Sequence, residues 1–182
     1  MTPFHTIPGA LDPDACAQAV ALAQGAGLRA GRLVGQVASD LRRADLAWVD
    51  DLPGAGWIMD RMVKVVAEAN RAAFDFALDD FAESAQIARY GAEGQGHFDW
   101  HSDIGSGALA ARRKLTIVVQ LSDPESYSGG QLELRPDSNI RLADQAQGTA
   151  TVFPSFVLHR VTPVTAGVRW SLTLWAHGPA FR

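Results

Sequence analysis

Hydrophobic spacing changes character partway along the chain. In the first part, Asp12 is placed to cap a helix, Pro13 suits a first helical turn, and Ala15 to Gln24 supplies strong helix formers before Gly25 and Gly27. A longer helix is predicted over Trp57 to Leu78. There Ile58, Met62, Val65, Val66, Ala69, Ala73 and Phe76 share one stripe, while Asp60, Arg61, Lys64, Glu68 and Arg71 fall elsewhere. Between these helices, 28–51 alternates only weakly and predicts one or two short strands with loops. From Ser84 onward the period shortens to that of strands, with runs at 84–90, 113–121, 130–134, 148–153, 157–161 and 168–176 separated by Gly, Pro, Asp and Ser. The expected fold class is α+β, mainly β: a double-sheet jelly roll whose N-terminal helices pack on one sheet. The helical part covers about 1–83 and the jelly-roll core about 84–178 of one domain spanning 1–182.

Composition narrows the function classes. A net charge of -4 argues against a general polyanion binder, so no nucleic-acid partner is expected. The basic runs Arg42-Arg43 and Arg112-Arg113-Lys114 read as solvated strand ends or loops, with the second near enough to the candidate site to attract an acidic substrate. A single cysteine, Cys16, excludes an internal disulfide and a Cys-rich zinc framework, and suits a reducing cytoplasm. The first twenty residues lack a basic start followed by an apolar core, and no window reaches the roughly 18 apolar residues of a membrane span. Neither secretion nor membrane insertion is expected.

Chemistry concentrates in three places. Phe98-Asp99-Trp100-His101-Ser102-Asp103 contains His-x-Asp, which on an extended backbone turns imidazole and carboxylate to the same side. His97 and Asp99 form a second copy of the same spacing, and taken alone neither copy is specific. A third ligand is His159, the histidine that interrupts the apolar run from Phe153 to Val161. Two imidazoles and one carboxylate make the facial set that holds Fe(II) and leaves adjacent positions open, whereas a closed zinc site wants a fourth protein ligand. The third place is Val168 to Trp175, whose alternation puts Arg169, Ser171, Thr173 and Trp175 on one face and apolar residues on the other. An inward arginine is costly unless an anion meets its planar fork, and the distal carboxylate of 2-oxoglutarate is such an anion.

These segments, FDWHSD, RKLTIVVQLSDPESYSGGQLEL and TATVFPSFVLHRVTPVTAGVRWSLTLW, resemble the 2-oxoglutarate and Fe(II) dependent oxygenases of the prolyl-4-hydroxylase type, and most closely the bacterial PKHD-type hydroxylases. The resemblance covers roughly 84–178. It implies that His101, Asp103 and His159 are the iron ligands and the catalytic residues through the metal, and that Arg169 clamps the distal carboxylate. It further implies that Tyr90 hydrogen-bonds the co-substrate and that Thr173 is a second polar contact near Arg169. Gln120 stands where many relatives place a tyrosine that reaches 2-oxoglutarate, which is a departure. Phe98, three residues before His101, selects the second His-x-Asp over the first, so His97 becomes a rim or loop histidine.

The implied activity is hydroxylation of an unactivated C–H bond of a peptidyl residue, an amino acid or a small metabolite, with release of succinate and CO2. Fe(II), 2-oxoglutarate and O2 are the implied cofactors and co-substrates, with ascorbate as a candidate reductant. The carboxylate of Asp103 favours hydroxylation over the halogenation of relatives that carry a small residue there. Two other readings stay open: a metal-binding jelly roll with chemistry independent of 2-oxoglutarate, and a non-catalytic sensor on the same fold. His5 and His177 read as surface or partly buried, Asp99 as a solvated carboxylate able to contact substrate, and Asp123, Pro124 and Gly129-Gly130 as turn residues. Loops near 31–56 and 104–112 are expected to frame the pocket. Substrate identity and oligomeric state are not legible.

Overall fold

The computed structural model describes residues 3–30 and 40–181. A short strand β1 (His5–Ile7) leads into helix α1 (Pro13–Ala26), whose first turn is closed by Asp12 accepting from the Ala15 amide at 2.8 Å. Three short strands follow, β2 (Arg29–Ala30), β3 (Arg42–Arg43) and β4 (Asp45–Trp48), where one or two were expected. Helix α2 spans Gly56–Ala69 and passes into a π-helical turn over Asn70–Phe74. It therefore stops short of the predicted Leu78. The Asn70 side chain donates to the Phe76 carbonyl and accepts from the Phe76 amide, both at 2.9 Å, and so replaces the helical partners of this turn. Asp75 takes a left-handed conformation with φ 52°, which completes the break.

The remaining strands are β5 (Gln86–Gly91), β6 (His97–His101), β7 (Arg113–Gln120), β8 (Tyr127–Gly129), β9 (Leu132–Arg135), β10 (Arg141–Leu142), β11 (Ala150–Pro154), β12 (Leu158–Val161) and β13 (Val164–His177). They form two antiparallel sheets. The larger runs β1-β11-β7-β13-β5-β4-β2 with β8 also paired to β13, and the smaller runs β10-β9-β12-β6-β3. This is the mainly β, α+β jelly roll that the strand spacing predicted. Strands β1, β8 and β10, two or three residues each, carried no run long enough to read.

Both faces of the large sheet are covered, and the alternation of its strands decides what each face meets. Leu115, Ile117 and Val119 of β7, with Trp170, Leu172 and Leu174 of β13, pack in one apolar core with Ile58, Met62, Val65 and Val66 of α2 and with Ala19 and Ala23 of α1. Each such side chain contributes about 1.5–3 kcal/mol through burial. Cys16 lies in this core, and burial, followed by the nearby Asp12 charge, pushes its thiol up to about 11, as befits an inert core group. The opposite face meets the small sheet across a second core that includes Tyr90, Val118, Leu132, Leu134, Phe153 and Val161. The polar residues of β13 point into this inter-sheet space. Among the described residues, no helix is long and apolar enough to cross a membrane.

Candidate active site

His101 ends β6 and His159 sits in β12, directly opposite it in the antiparallel register of the small sheet. Their rings lie 4.1 Å apart between centroids. Each ring is anchored in the same way: Nδ1 of His101 meets the Asp99 carbonyl at 2.7 Å, and Nδ1 of His159 meets the Val157 carbonyl at 3.0 Å. A carbonyl only accepts, so Nδ1 carries the hydrogen, which leaves Nε2 as the nitrogen available to a metal. Phe98 stacks on His101 at 3.5 Å and fixes the plane of that ring.

Asp103 follows just after β6, its amide donating to the Ser155 carbonyl at 2.9 Å. Its Oδ1 lies 3.5 Å from Nε2 of His101, and its Oδ2 lies 3.6 Å from Nε2 of His159. All three ligand atoms fall within 4.8 Å of one another, close enough to share one ion. Oδ2 also accepts from Thr116 Oγ1 at 2.7 Å and from Trp175 Nε1 at 3.0 Å. Burial raises the Asp103 carboxyl, but His159, His101 and these two donors more than offset it, leaving the group below its ordinary range and ionised. Burial, then the neighbouring His159, pushes His101 down to about 4, so its imidazole is neutral near pH 7.

The cluster opens into a cleft of about 400 Å³ whose walls include Arg42, Gln86, Tyr90, Thr173 and Trp175. A second cleft of about 250 Å³ shares Val118 and Leu132 with the first and is lined by Arg169, Gln120, Tyr127 and Thr149. Arg169 is 2% exposed, with Nη1 donating to Ser171 Oγ at 3.3 Å and its guanidinium 5.5 Å from the Tyr90 ring centre. Among the described residues no carboxylate pairs with it. Burial lowers its pKa against the opposing pull of Tyr90 and Tyr127, yet a guanidinium stays charged. Gly130 makes room for this arrangement: at φ +59°, a Cβ there would stand 2.8 Å from Val164 Cγ2 and 3.0 Å from Arg169 Cδ. The Gly129-Gly130 pair is thus part of the site's wall as well as a turn.

Every residue read from the sequence as a metal ligand or co-substrate contact lines one of the two clefts: His101, Asp103, His159, Tyr90 and Thr173 the first, Arg169 and Gln120 the second. Gln120 donates from Nε2 to the Tyr127 hydroxyl at 2.7 Å. Tyr127 itself went unnoticed, because one aromatic in a turn-rich stretch gives no periodic signal. Thr116 and Trp175 as partners of Asp103, and Arg42 as a wall of the metal-side cleft, were likewise unassigned. His97 is half-buried at the start of β6 and lines neither cleft, its ring nitrogens 2.8 Å from the Gln95 and Asp40 carbonyls, and Asp99 is exposed. His5 is half-buried, as expected.

Two readings need correction. His177 is fully buried, with Nε2 2.9 Å from Glu83 Oε2 and Nδ1 accepting from the Ala82 amide at 3.2 Å. The run Arg112-Arg113-Lys114 is not a solvated stretch either. Arg113 makes a two-pronged pair with Glu83, donates from Nη1 to the Asp103 carbonyl at 3.0 Å and lies 4.1 Å above the Trp175 ring. Lys114 is buried against Phe181. With Glu83 neutralising Arg113, little charge is left there to draw an acidic substrate. Of the loops expected to frame the pocket, 31–39 lies outside the described residues, while 40–56 carries β3 and β4.

Comparison with known proteins agrees with this geometry. The model of the 2OG-Fe(II) oxygenase superfamily matches residues 85–177. A PKHD-type hydroxylase of Hyphomonas neptunium is 39% identical over 72 residues, covering 40% of this chain and 32% of that protein. One of Delftia acidovorans is 34% identical over 90 residues, covering 47% of this chain and 40% of its own. The chain thus spans about a third to two fifths of the curated relatives it matches. Among solved structures, a Trichoplax adhaerens prolyl hydroxylase in complex with a hypoxia inducible factor peptide fragment superposes with a TM-score of 0.77 at 19% identity, over 97% of this chain and 84% of that one. A Pseudomonas putida prolyl-4-hydroxylase superposes at 0.72 and 23% identity, over 96% and 92%. At these identities the structural likeness speaks for the fold.

Proposed function

Because the chain belongs to the 2OG-Fe(II) oxygenase superfamily, we propose that it is an Fe(II)- and 2-oxoglutarate-dependent dioxygenase that hydroxylates an unactivated C–H bond and releases succinate and CO2. The helices and both sheets pack through shared cores, and we read 1–182 as one oxygenase domain. The observation that carries the proposal is the pairing of a three-ligand cluster with a buried, carboxylate-free Arg169 in the adjoining cleft. A jelly roll with other metal chemistry has no use for that guanidinium, and a sensor without catalysis has no use for a three-ligand cluster beside it.

The donor set suits Fe(II). Two imidazoles turn Nδ1 to backbone carbonyls and Nε2 toward the Asp103 carboxylate, and no fourth His, Cys, Asp or Glu joins them among the described residues. Bound there, Fe(II) with 2-oxoglutarate and O2 supplies the oxidising power that breaks a C–H bond. The chain's own contribution is orientation. Thr116 and Trp175 hold Asp103, Phe98 and the carbonyls of Asp99 and Val157 hold the imidazoles, and Arg169 is the anchor proposed for the distal carboxylate of 2-oxoglutarate. Tyr90, Thr173 and Gln120 complete that pocket, Gln120 acting together with Tyr127.

The substrate classes in keeping with this reading are a peptidyl residue, an amino acid or a small metabolite. A cytoplasmic setting with ascorbate as reductant suits a ferrous centre and the lone buried thiol. The test is succinate release from 2-oxoglutarate by the Fe(II)-reconstituted protein, including its uncoupled turnover. Release that depends on Fe(II), His159 and Arg169 supports the proposal; 2-oxoglutarate that neither binds nor turns over removes it.

A further inference from the structure

Arg42 is a second cation with no carboxylate partner among the described residues, and it stands in the wall of the same cleft as the candidate metal-ligand cluster. It lies on β3, paired in register with Phe98 of β6. Its guanidinium sits 4.6 Å over the Phe98 ring, and that ring in turn stacks on His101 at 3.5 Å, so the charge is held two stacked planes from the metal-side imidazole. Nη1 and Nη2 reach Gln86 Oε1 only at 3.5 and 3.4 Å, and Nε is buried with no partner among the described residues. Nearby acids are engaged elsewhere: Asp40 with Arg43 and Asp45 with Arg89. The neighbouring stretch 31–39 contains no Asp or Glu that could supply one.

A guanidinium in a cleft wall whose Nη groups share one amide oxygen at 3.4–3.5 Å still has hydrogens to offer a carboxylate that arrives with a ligand. Arg169, in the adjoining cleft, is already assigned to the co-substrate, so the acceptor at Arg42 belongs to a different molecule. Among the described residues, Arg42 is the one Lys or Arg lining the metal-side cleft, which suits a single carboxylate better than a dianionic phosphate. Backbone amides within a peptide would bring only neutral carbonyls to this cation.

We propose that Arg42 binds the carboxylate of the substrate, and that the substrate is therefore a small carboxylic acid, such as a free amino acid, hydroxylated at a carbon near that group. Gln86 sets the tilt of the guanidinium and Phe98 its plane, so the same side chain that orients His101 also aligns the substrate's anchor. The inference rests on the oxygenase reading above.

The test uses the Fe(II)-reconstituted protein with 2-oxoglutarate and O2. Stimulated succinate release is measured with a panel of free amino acids and other small carboxylic acids, each beside its amide, and with the same residues inside end-capped tripeptides. At least one free acid is expected to stimulate, with KM for its amide higher by roughly 10-fold to 100-fold. Arg42→Gln is expected to erase the difference between acid and amide, while its Kd for 2-oxoglutarate on the Mn(II)-loaded protein stays within about twofold of the parent. Arg42→Lys should restore part of the discrimination. Equal stimulation by capped tripeptides, no stimulation by any acid, or undiminished discrimination in Arg42→Gln overturns the assignment. Anaerobic 2-oxoglutarate binding to the Mn(II)-loaded protein separates the two levels: binding that requires Arg169 leaves the oxygenase reading standing when the Arg42 assignment fails, and absence of binding overturns both.

Discussion

Trp175 holds Asp103 from behind, its Nε1 donating to Oδ2 at 3.0 Å while the Arg113 guanidinium covers the indole ring at 4.1 Å. The Asp103 carboxylate is thus fixed through an aromatic that is itself clamped by a half-buried ion pair. Trp175→Phe keeps the ring and removes the donor, leaving Thr116 as the remaining side-chain donor to Oδ2. Loss of such an outer hydrogen bond weakens metal affinity by about 10-fold to 100-fold. Titration with Mn(II), read beside a circular dichroism spectrum that stays the same, checks this. Unchanged affinity would remove Trp175 from the support of the site.

The Glu83, Arg113 and His177 group beneath that clamp is expected to behave as one unit. Burial raises the Glu83 carboxyl, but Arg113 and His177 overcome it and leave the pKa below the ordinary value. A depressed carboxylate stabilises the fold above its unfolded pKa, and that stability is lost as pH falls through the lower, folded value. Glu83→Gln removes the counter-charge of the half-buried Arg113 and is expected to cost about 1–3 kcal/mol. The urea midpoint at neutral pH reads the cost. Combining it with His177→Gln should cost less than the two single changes added together, because both act on the same carboxylate.

What the sequence made legible follows from period. Arg169, Ser171, Thr173 and Trp175 share a face of β13 because a strand alternates, and the side chains could be assigned without coordinates. His101 and His159 were legible as ligand types, although their direct register opposition was not, since pairing depends on strand order. The overrun of α2 to Leu78 has a local cause in Asn70, whose amide binds Phe76 in place of a further helical turn. His177, Arg113, Tyr127 and Arg42 were misjudged or missed for a common reason. Each acts through side-chain partners that the fold brings together, Glu83 for His177 and Arg113, Gln120 for Tyr127 and Gln86 for Arg42, and such pairs leave no trace in hydrophobic spacing.

His101 gives the metal-free chain a distinct pH response. Its folded pKa, pushed down to about 4 mainly by burial, lies below the roughly 6.5 of an unfolded histidine. Between those values the unfolded chain takes up a proton that the folded chain refuses, so stability falls as pH falls and levels off below the folded pKa. The loss from His101 between pH 7 and pH 5 is on the order of 2 kcal/mol. His101→Asn should flatten this part of the curve when denaturant midpoints of the metal-free proteins are compared. An identical slope in parent and variant would mean that His101 is not held neutral by its surroundings.

Arg169 separates stability from binding. In the absence of a diacid its guanidinium is buried at 2% exposure with no carboxylate partner among the described residues, so the free protein carries an uncompensated desolvation cost. Arg169→Met, similar in reach and apolar, removes that cost and leaves Ser171 and Tyr127 free to bond elsewhere. The ligand-free variant should therefore melt at or above the parent's temperature, which runs against the usual direction for a large buried substitution. The same change deletes the anion receptor. Addition of 2-oxoglutarate with Mn(II) should raise the melting temperature of the parent and leave that of Arg169→Met at its Mn(II)-only value, since only a ligand that binds the folded state shifts the transition. Arg169→Lys keeps a charge without the planar fork and should show an intermediate shift. A variant that loses several degrees without ligand yet keeps the full 2-oxoglutarate shift would make Arg169 a structural residue and send the search for the carboxylate anchor elsewhere in the cleft.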